Sequence, residues 1–214
     1  MRRSVLRRRV FGYLGLWVFL FALVTAFAPR TTNAQQPQWI WATKPAKPNQ
    51  KAFFRKQLDL PAGVKKAHVA VACDNTVTLY LNGERVTSSS EWNTPAHADV
   101  TKRLKQGANT FALAGGNDSS TMAGMIMRLS IETTDGKKQT LVTDTSWKVT
   151  EAEARGWEKP DFDDSAWGKP VSFGNLGVGP WNAVALVPGQ APARLATPDR
   201  GVFTTLPGFK LQHL

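Results

Sequence analysis

The sequence has little cysteine and little histidine. A single cysteine, Cys73, among 214 residues excludes an internal disulfide framework, a cysteine-rich zinc site and a covalently attached haem within this chain. Three widely separated histidines, His68, His97 and His213, leave little material for a histidine-based catalytic metal centre. Helix-forming runs are also few, whereas eight tryptophans and 17 glycines favour an all-β domain.

An excess of basic side chains is confined to one end of the chain. The sequence holds 27 Lys and Arg against 16 Asp and Glu, a formal net charge of +11. Six of the arginines and none of the acidic residues lie in residues 1–34, so the rest of the chain has 21 basic and 16 acidic side chains, a net +5. Because that charge is ordinary for a folded body, we expect no nucleic-acid partner.

The N-terminal segment has the pattern of an export signal. Arginines at positions 2–9 precede an almost wholly apolar run from Val10 to Ala28, and small and polar residues follow as far as Ala34. This order predicts a hydrophobic signal helix within a cleaved signal peptide at residues 1–34, and a secreted or periplasmic body. The apolar run of about 19 residues is also long enough to span a bilayer. An uncleaved anchor is therefore the alternative, and a membrane partner is expected only in that case.

The body reads as short strands joined by turns. Alternating apolar and polar residues predict strands over residues 52–60, 67–73, 76–81, 109–114, 125–132, 139–143 and 146–150. Asn82 and Gly83 predict a tight hairpin, and residues 99–106 predict one helical turn that Gly107 closes. Strands at about ten-residue spacing favour a sandwich or jelly roll. We assign residues 35–50 to a linker and residues 51–186 to the sandwich.

Several segments resemble the galactose-binding-like jelly roll, a non-catalytic sandwich at the front of bacterial α-L-rhamnosidases and family 2 glycosidases. The resemblance is carried by DNTVTLYLNGERV at residues 74–86 and ADVTKRLKQGAN at 98–109. Shorter pieces fit the rhamnosidase version at residues 39–42, 54–56, 143–149 and 162–167. The resemblance covers about residues 38–182. It implies an all-β jelly-roll β-sandwich that is not itself an enzyme.

The body offers little catalytic chemistry. No acidic residue is marked by a glycosidase signature, so the carboxylate pair that glycoside hydrolysis needs is not identifiable. Cys73 alternates with Val69 and Val71, which predicts a buried, inert thiol rather than a nucleophile. We therefore predict no catalytic residues.

Carbohydrate binding is the one function that such a sandwich could carry alone. Sugar sites combine an aromatic face with amide or carboxylate groups that bond the hydroxyls. Loop residues of these types are Asp74, Asn75, Trp92, Asn93, His97, Asn117, Asp118, Trp181 and Asn182. They predict a neutral glycan as partner. For Trp92 and Trp181 the alternative is packing in the core or at its rim.

Three aspartates form a candidate metal site. Asp161, Asp163 and Asp164 could supply oxygen ligands to a structural Ca²⁺, an ion that the resemblance implies as a frequent feature of galactose-binding-like modules. The alternative is that Asp163 caps a turn while the other two carboxylates are solvated. We expect no other cofactor.

The composition changes again after Val187. Residues 188–194 (PGQAPAR) have the pattern of a linker, and a strand-like pattern resumes at 203–211 before the chain stops at Leu214. This predicts the start of a truncated following domain. Residues 206–211 (LPGFKL) resemble the opening strand of sorbosone-dehydrogenase-like β-propellers, in which a c-type haem domain often follows.

Three functions remain open on the sequence. Our prediction is a non-catalytic, extracytoplasmic carbohydrate-binding or spacer module of a larger secreted bacterial protein. The second is the N-terminal fragment of an enzyme whose catalytic part lies beyond Leu214, either rhamnosidase-like or a propeller dehydrogenase with a c-type haem domain. The third is a membrane-tethered interaction module held by an uncut apolar run.

Overall fold

The computed structural model describes residues 35–118 and 120–189. These residues form eleven β-strands: β1 (Gln38–Trp41), β2 (Lys51–Leu60), β3 (Val64–Asp74), β4 (Thr76–Leu81), β5 (Glu84–Ser89), β6 (Ala96–Asp99), β7 (Gly107–Gly116), β8 (Gly124–Thr133), β9 (Lys138–Val142), β10 (Lys148–Thr150) and β11 (Val171–Asn175). Within these ranges no helix is long and apolar enough to cross a membrane. The predicted signal peptide and the predicted start of a following domain lie outside the described residues.

The strands make two antiparallel sheets. Sheet A has six strands in the order β11-β1-β8-β3-β6, with β9 also paired to β8, and sheet B has five in the order β10-β2-β7-β4-β5. All strand pairs are antiparallel. The predicted all-β sandwich is therefore confirmed.

The main core lies between the two sheets. Val71 of β3 pairs with Met127 of β8 in sheet A, and Leu79 of β4 pairs with Leu113 of β7 in sheet B; all four side chains are fully buried. Cys73 is buried in the same core, and burial raises the pKa of its thiol well above the ordinary value. The predicted burial of Cys73 is therefore confirmed, and the raised pKa disfavours the thiolate, which is the reactive form.

Two predicted turns have the expected backbone. Asn82 and Gly83 have φ of 53° and 88°, the positive values that a two-residue hairpin requires. The carboxylate of Asp99 accepts a hydrogen bond from the Thr101 amide at 2.8 Å, and the Leu104 amide donates to the Val100 carbonyl at 3.1 Å. The segment predicted as one helical turn is therefore a single capped turn between β6 and β7.

The structure differs from the predicted elements at both edges. The stretch predicted as a linker contains β1, whose Trp39, Ile40 and Trp41 are fully buried and therefore show no alternation. Trp147, which we placed in a strand, precedes β10; its Nε1 donates to the Val142 carbonyl at 2.8 Å. β11 was not predicted, because its partly buried residues include a glycine and lack a clear period of two.

Two C-terminal segments cover the outer faces of the sandwich. On sheet A, residues 176–186, here the sheet A cover, place Trp181, Val184 and Leu186 against the outward side chains of Ala70 and Ala72. On sheet B, residues 154–167, here the sheet B cover, place aromatic side chains against the outward face. The aromatic cluster there contains Phe53, Tyr80, Trp157, Phe162 and Trp167.

Candidate functional site

Four of the predicted site residues meet where β3 and β7 end. Asp74 is the last residue of β3 and Asn75 follows it, while Asn117 follows β7 directly. The Asn75 amide donates to the Gly116 carbonyl at 2.9 Å, and the Asp118 amide donates to Asn75 Oδ1 at 2.9 Å. These two hydrogen bonds hold the two strand ends together at one end of the sandwich.

Asn117 is a support for the neighbouring loops. Its Nδ2 donates to the carbonyls of Lys47 and Ser120 at 2.8 and 2.7 Å, and only 3% of the residue is exposed. Its Oδ1 is buried and accepts no hydrogen bond from the described residues. A buried acceptor of this kind leaves free energy to be gained from a suitably placed donor.

Trp181 is a packing residue rather than an open platform. Its ring lies 4.7 Å from that of Trp39 in a stacked arrangement, and its Nε1 donates to Asp74 Oδ2 at 2.8 Å. A Cβ on Gly124 would approach the Trp181 ring to 2.8 Å, so that position needs a glycine. Only 1% of Trp181 is exposed. Of the two alternatives for this tryptophan, the structure has the packed one.

Trp92 packs against the same apolar cluster as Trp181 but remains only partly buried. It lies in the loop between β5 and β6, and the exposed Asn93 follows it. We call the set Asp74, Asn75, Trp92, Asn117 and Trp181 the rim. Of these, Trp92 is the aromatic side chain that leaves part of its surface to solvent.

Among the described residues, two others predicted to bind sugar, His97 and Asn182, make no hydrogen bond to the residues of the rim. His97 is exposed on β6, and its ring lies 5.1 Å from that of His68. Burial, followed by the charge of His97, lowers the pKa of His68. Asn182 has φ of 55° and forms a turn in which its amide donates to the Val178 carbonyl at 2.9 Å. Asn182 therefore stabilises a turn within the sheet A cover.

The three aspartates of the candidate calcium site are used differently. The carboxylate of Asp164 accepts from Arg55 Nε at 2.9 Å and from Lys148 Nζ at 2.6 Å. Asp163 Oδ1 accepts from the Ser165 amide at 2.9 Å, and Asp161 is exposed. Within the described ranges, no group of three His, Cys, Asp or Glu could hold a metal ion. Since two cations already neutralise Asp164, this set does not fit Ca²⁺.

Arg55 is a buried residue whose role the sequence did not reveal. Its side chain is fully buried, its Nη1 donates to the Trp157 carbonyl and to the Lys159 carbonyl at 2.9 Å, and its guanidinium lies over Phe162. Together with the bond to Asp164, these contacts fix the sheet B cover. In the sequence, the one sign of this role was that the charged Arg55 follows Phe53 and Phe54 in a strand predicted to be half-buried.

No protein-family model matches the chain. An α-L-rhamnosidase of Streptomyces avermitilis is 34% identical over 193 residues, which are 84% of this chain and 19% of that protein. An α-L-rhamnosidase of Alteromonas sp. is 25% identical over 162 residues, 56% of this chain and 18% of that protein. The chain thus spans about a fifth of the length of the curated relatives it matches.

Among solved structures, the chain is similar to an α-L-rhamnosidase and to a lectin. The crystal structure of the Streptomyces avermitilis α-L-rhamnosidase complexed with L-rhamnose has a TM-score of 0.67 and 34% identity, covering 71% of this chain and 16% of that one. The lectin from Pleurotus ostreatus in complex with GalNAc has a TM-score of 0.65 and 28% identity, covering 73% and 48%. The body of this chain is therefore a galactose-binding-like β-sandwich module, similar to part of the α-L-rhamnosidases and to this lectin.

Proposed function

We propose that the sandwich is a non-catalytic carbohydrate-binding module that holds a neutral glycan at the rim. The observation that carries this proposal is the meeting of Asp74, Asn75 and Asn117 at one end of the sandwich, together with the partly exposed Trp92, which packs against the cluster of Trp181, the residue that donates to Asp74. Carboxylate and amide groups bond sugar hydroxyls, and a partly exposed indole packs against the apolar face of the ring. The similarity to a lectin crystallised with GalNAc supports the same function.

The proposal makes Trp92 the stacking residue and Trp181 its support. Trp181 fixes one oxygen of Asp74 through a hydrogen bond of 2.8 Å. The second carboxylate oxygen of Asp74 is then an acceptor for a hydroxyl donor, while Asn117 supports the loops around it. A shallow site of this kind gains only a few kcal/mol, so we expect dissociation constants in the millimolar to high-micromolar range.

Titration calorimetry of the full chain with L-rhamnose and with GalNAc tests this function. Trp92→Ala should remove the rim's share of the binding, and so lower the measured affinity, while leaving the unfolding midpoint nearly unchanged, because Trp92 is only partly buried. Trp167→Ala is the matched control, since Trp167 is a partly buried tryptophan of the sheet B cover. The proposal fails if no sugar binds, or if both variants bind as the parent does.

A spacer without a ligand is the second candidate, and one observation favours it. Trp181 is buried against Trp39 of β1 and attaches the sheet A cover to the sandwich, so the described residues form a closed unit. A spacer needs no more than such a closed, stable unit. Blank sugar titrations together with a loss of stability alone in Trp92→Ala and Trp181→Ala would select this function.

We also propose that the module belongs to a longer, exported protein. The curated relatives are about five times as long as the matched part, and residues 1–34 have the pattern of a signal peptide. A rhamnosidase-like glycosidase and a propeller dehydrogenase with a c-type haem domain remain the two candidate parents. Sequencing the gene downstream of the codon for Leu214 distinguishes them, and mass spectrometry of the N-terminus tests cleavage after Ala34.

A further inference from the structure

A polar groove lies at the edge of sheet A, where β1 pairs with β11. Gln38 of β1 is in register with Asn175 of β11, and the loop after β9 adds Asp144 and Ser146. The groove is open and has a volume of about 630 Å³. That volume lies within the range of small-molecule sites. None of the residues that line it belongs to the rim.

The lining has the chemistry of a site for hydroxyl groups. It consists of the three glutamines at positions 35, 36 and 38, one asparagine, two hydroxyl residues and a single carboxylate. Amide groups offer donors and an acceptor in one plane, which matches pairs of vicinal hydroxyls. The residues that line the groove include no lysine or arginine, and Asp144 would repel an anion. The lining therefore disfavours an anion, and its amides match a ligand rich in hydroxyls.

The carboxylate of the groove is already held in place. Asp144 Oδ1 accepts from the Ser146 amide at 2.8 Å, and its Oδ2 accepts from Gln35 Nε2. These bonds orient the carboxylate and the first glutamine. The groove is thus organised before any ligand arrives, which lowers the entropic cost of binding.

Gln38 supplies a second, independent observation. Its Oε1 is buried and accepts no hydrogen bond from the described residues. Its backbone is fixed, because its amide donates to the Thr143 carbonyl at 2.8 Å and its carbonyl accepts from Thr143 Oγ1 at 2.7 Å. A buried, unsatisfied acceptor costs free energy, and a rotation of the Gln38 side chain towards a ligand hydroxyl in the groove would recover it.

We propose that this groove is a second binding site for a neutral saccharide, separate from the rim. The side-chain amides of Gln38 and Asn175, which both line the groove, bond neighbouring hydroxyls. The inference rests on the proposed carbohydrate-binding function and adds a second contact to the same glycan class. Two weak sites on one module would raise the avidity for a polymeric glycan without a new strong contact.

The experiment follows amide and side-chain NMR shifts of the full chain during titration with L-rhamnose and with GalNAc. Residues 35–38, 144–146 and 175 should shift in the Trp92→Ala variant, in which the rim is disabled. Asn175→Ala, a change at an exposed position, and Gln38→Leu should each weaken that remaining binding by at least about 10-fold. Gln139→Leu is the matched control, since Gln139 Oε1 is also buried and unsatisfied but lies outside the groove.

The outcomes separate the two proposals. Shifts confined to the rim would overturn the groove and leave the proposed function standing. Shifts confined to the groove, with Trp92→Ala binding as the parent does, would support the groove and overturn the rim. Equal losses in Gln38→Leu and Gln139→Leu, with none in Asn175→Ala, would show a structural effect and overturn the groove. An absence of shifts with either sugar would overturn both.

Discussion

The two outer faces of the sandwich are covered by segments of the same C-terminal region, but by different means. The sheet B cover is fixed by one buried cation, since Arg55 bonds Asp164 and the carbonyls of Trp157 and Lys159. The sheet A cover is fixed by apolar packing, with the hydrogen bond from Trp181 to Asp74 as its polar contact to β3. Both covers therefore bury apolar side chains, but the sheet B cover is held in addition by a buried cation.

This difference has a functional consequence. Packing of Trp181 holds Asp74 at the rim, so the sheet A cover and the proposed glycan site are coupled. The contacts of Arg55 reach only residues of the sheet B cover, so that cover contributes to stability alone. We expect damage to the two covers to differ in its effect on sugar binding.

The largest effect is expected at the apolar cover. Trp181→Ala should lower the free energy of unfolding by about 3–5 kcal/mol, since it leaves a cavity against Trp39 and Gly124. It should also weaken sugar binding, because Asp74 loses its donor. Trp181→Phe keeps most of the packing and should lose only about 1–3 kcal/mol, the cost of leaving Asp74 Oδ2 unpaired. Urea unfolding measures the free energy of unfolding of both variants. A loss below about 1 kcal/mol for Trp181→Ala would contradict the packing role of Trp181.

A smaller effect is expected at the charged cover. Arg55→Met keeps an unbranched chain but removes the bonds to Asp164 and the two carbonyls, which should cost about 2–3 kcal/mol because Lys148 still neutralises the carboxylate. Sugar binding should not change. Arg155→Met, at an exposed arginine of the same cover, is the control and should stay within about 0.5 kcal/mol of the parent. Equal destabilisation by the two variants would disprove the role given to Arg55.

The smallest effects are expected on acidification. Burial raises the pKa of Asp164, but hydrogen bonds from Lys148 and Arg55 outweigh it, so the net pKa is lowered. The stabilisation is present above the unfolded pKa of about 3.9 and is lost as the pH falls through the folded value. On sheet A, burial and then the charge of His97 lower the pKa of His68. Below the unfolded pKa of about 6.5, His68 binds protons more readily in the unfolded state than in the folded one. The free energy of unfolding therefore starts to fall at this pH, which is higher than the range in which Asp164 acts.

Unfolding curves from pH 8 to pH 3 separate the two sites. His68→Gln should remove the upper step, and Asp164→Asn should reduce the lower one, to which the lowered pKa values of Asp99, Glu132 and Asp163 also contribute. The assignment of the two steps is wrong if neither variant changes the dependence of the unfolding free energy on pH, or if Asp164→Asn removes the step near pH 6.

The sequence predicted the elements whose two faces differ. In β3, β4 and β8 one face meets the core and the other is more exposed or meets a smaller cluster, so alternation predicted these strands. β1 could not be predicted in this way, because the sheet A cover buries Trp39 while the core buries Trp41. A register shift between Trp39 and Ile40, together with burial on both faces, removes the period of two.

The residue types of the candidate site could be predicted from the sequence, but which of its side chains are exposed to solvent could not. Asp74 ends β3, Asn75 lies between β3 and β4, and Asn117 follows β7; the antiparallel pairing of Thr76 in β4 with Gly116 in β7 brings these residues together. Nothing in the sequence near Trp181 shows that its ring is buried, because its partner Asp74 is 107 residues away. The groove at Gln38 was not predicted, since β1 had been assigned to a linker.

By itself, the sequence determined the local conformations: the Asn82-Gly83 hairpin, the capped turn at Asp99 and the strands with one buried face. These depend on φ preferences and on periodicity, both of which act within a few residues. Only the tertiary structure decided which polar groups are occupied and which are free. Trp181 reaches Asp74 across 107 residues and Arg55 reaches Asp164 across 109. Such contacts form only when the sheets have closed, so no local pattern encodes them.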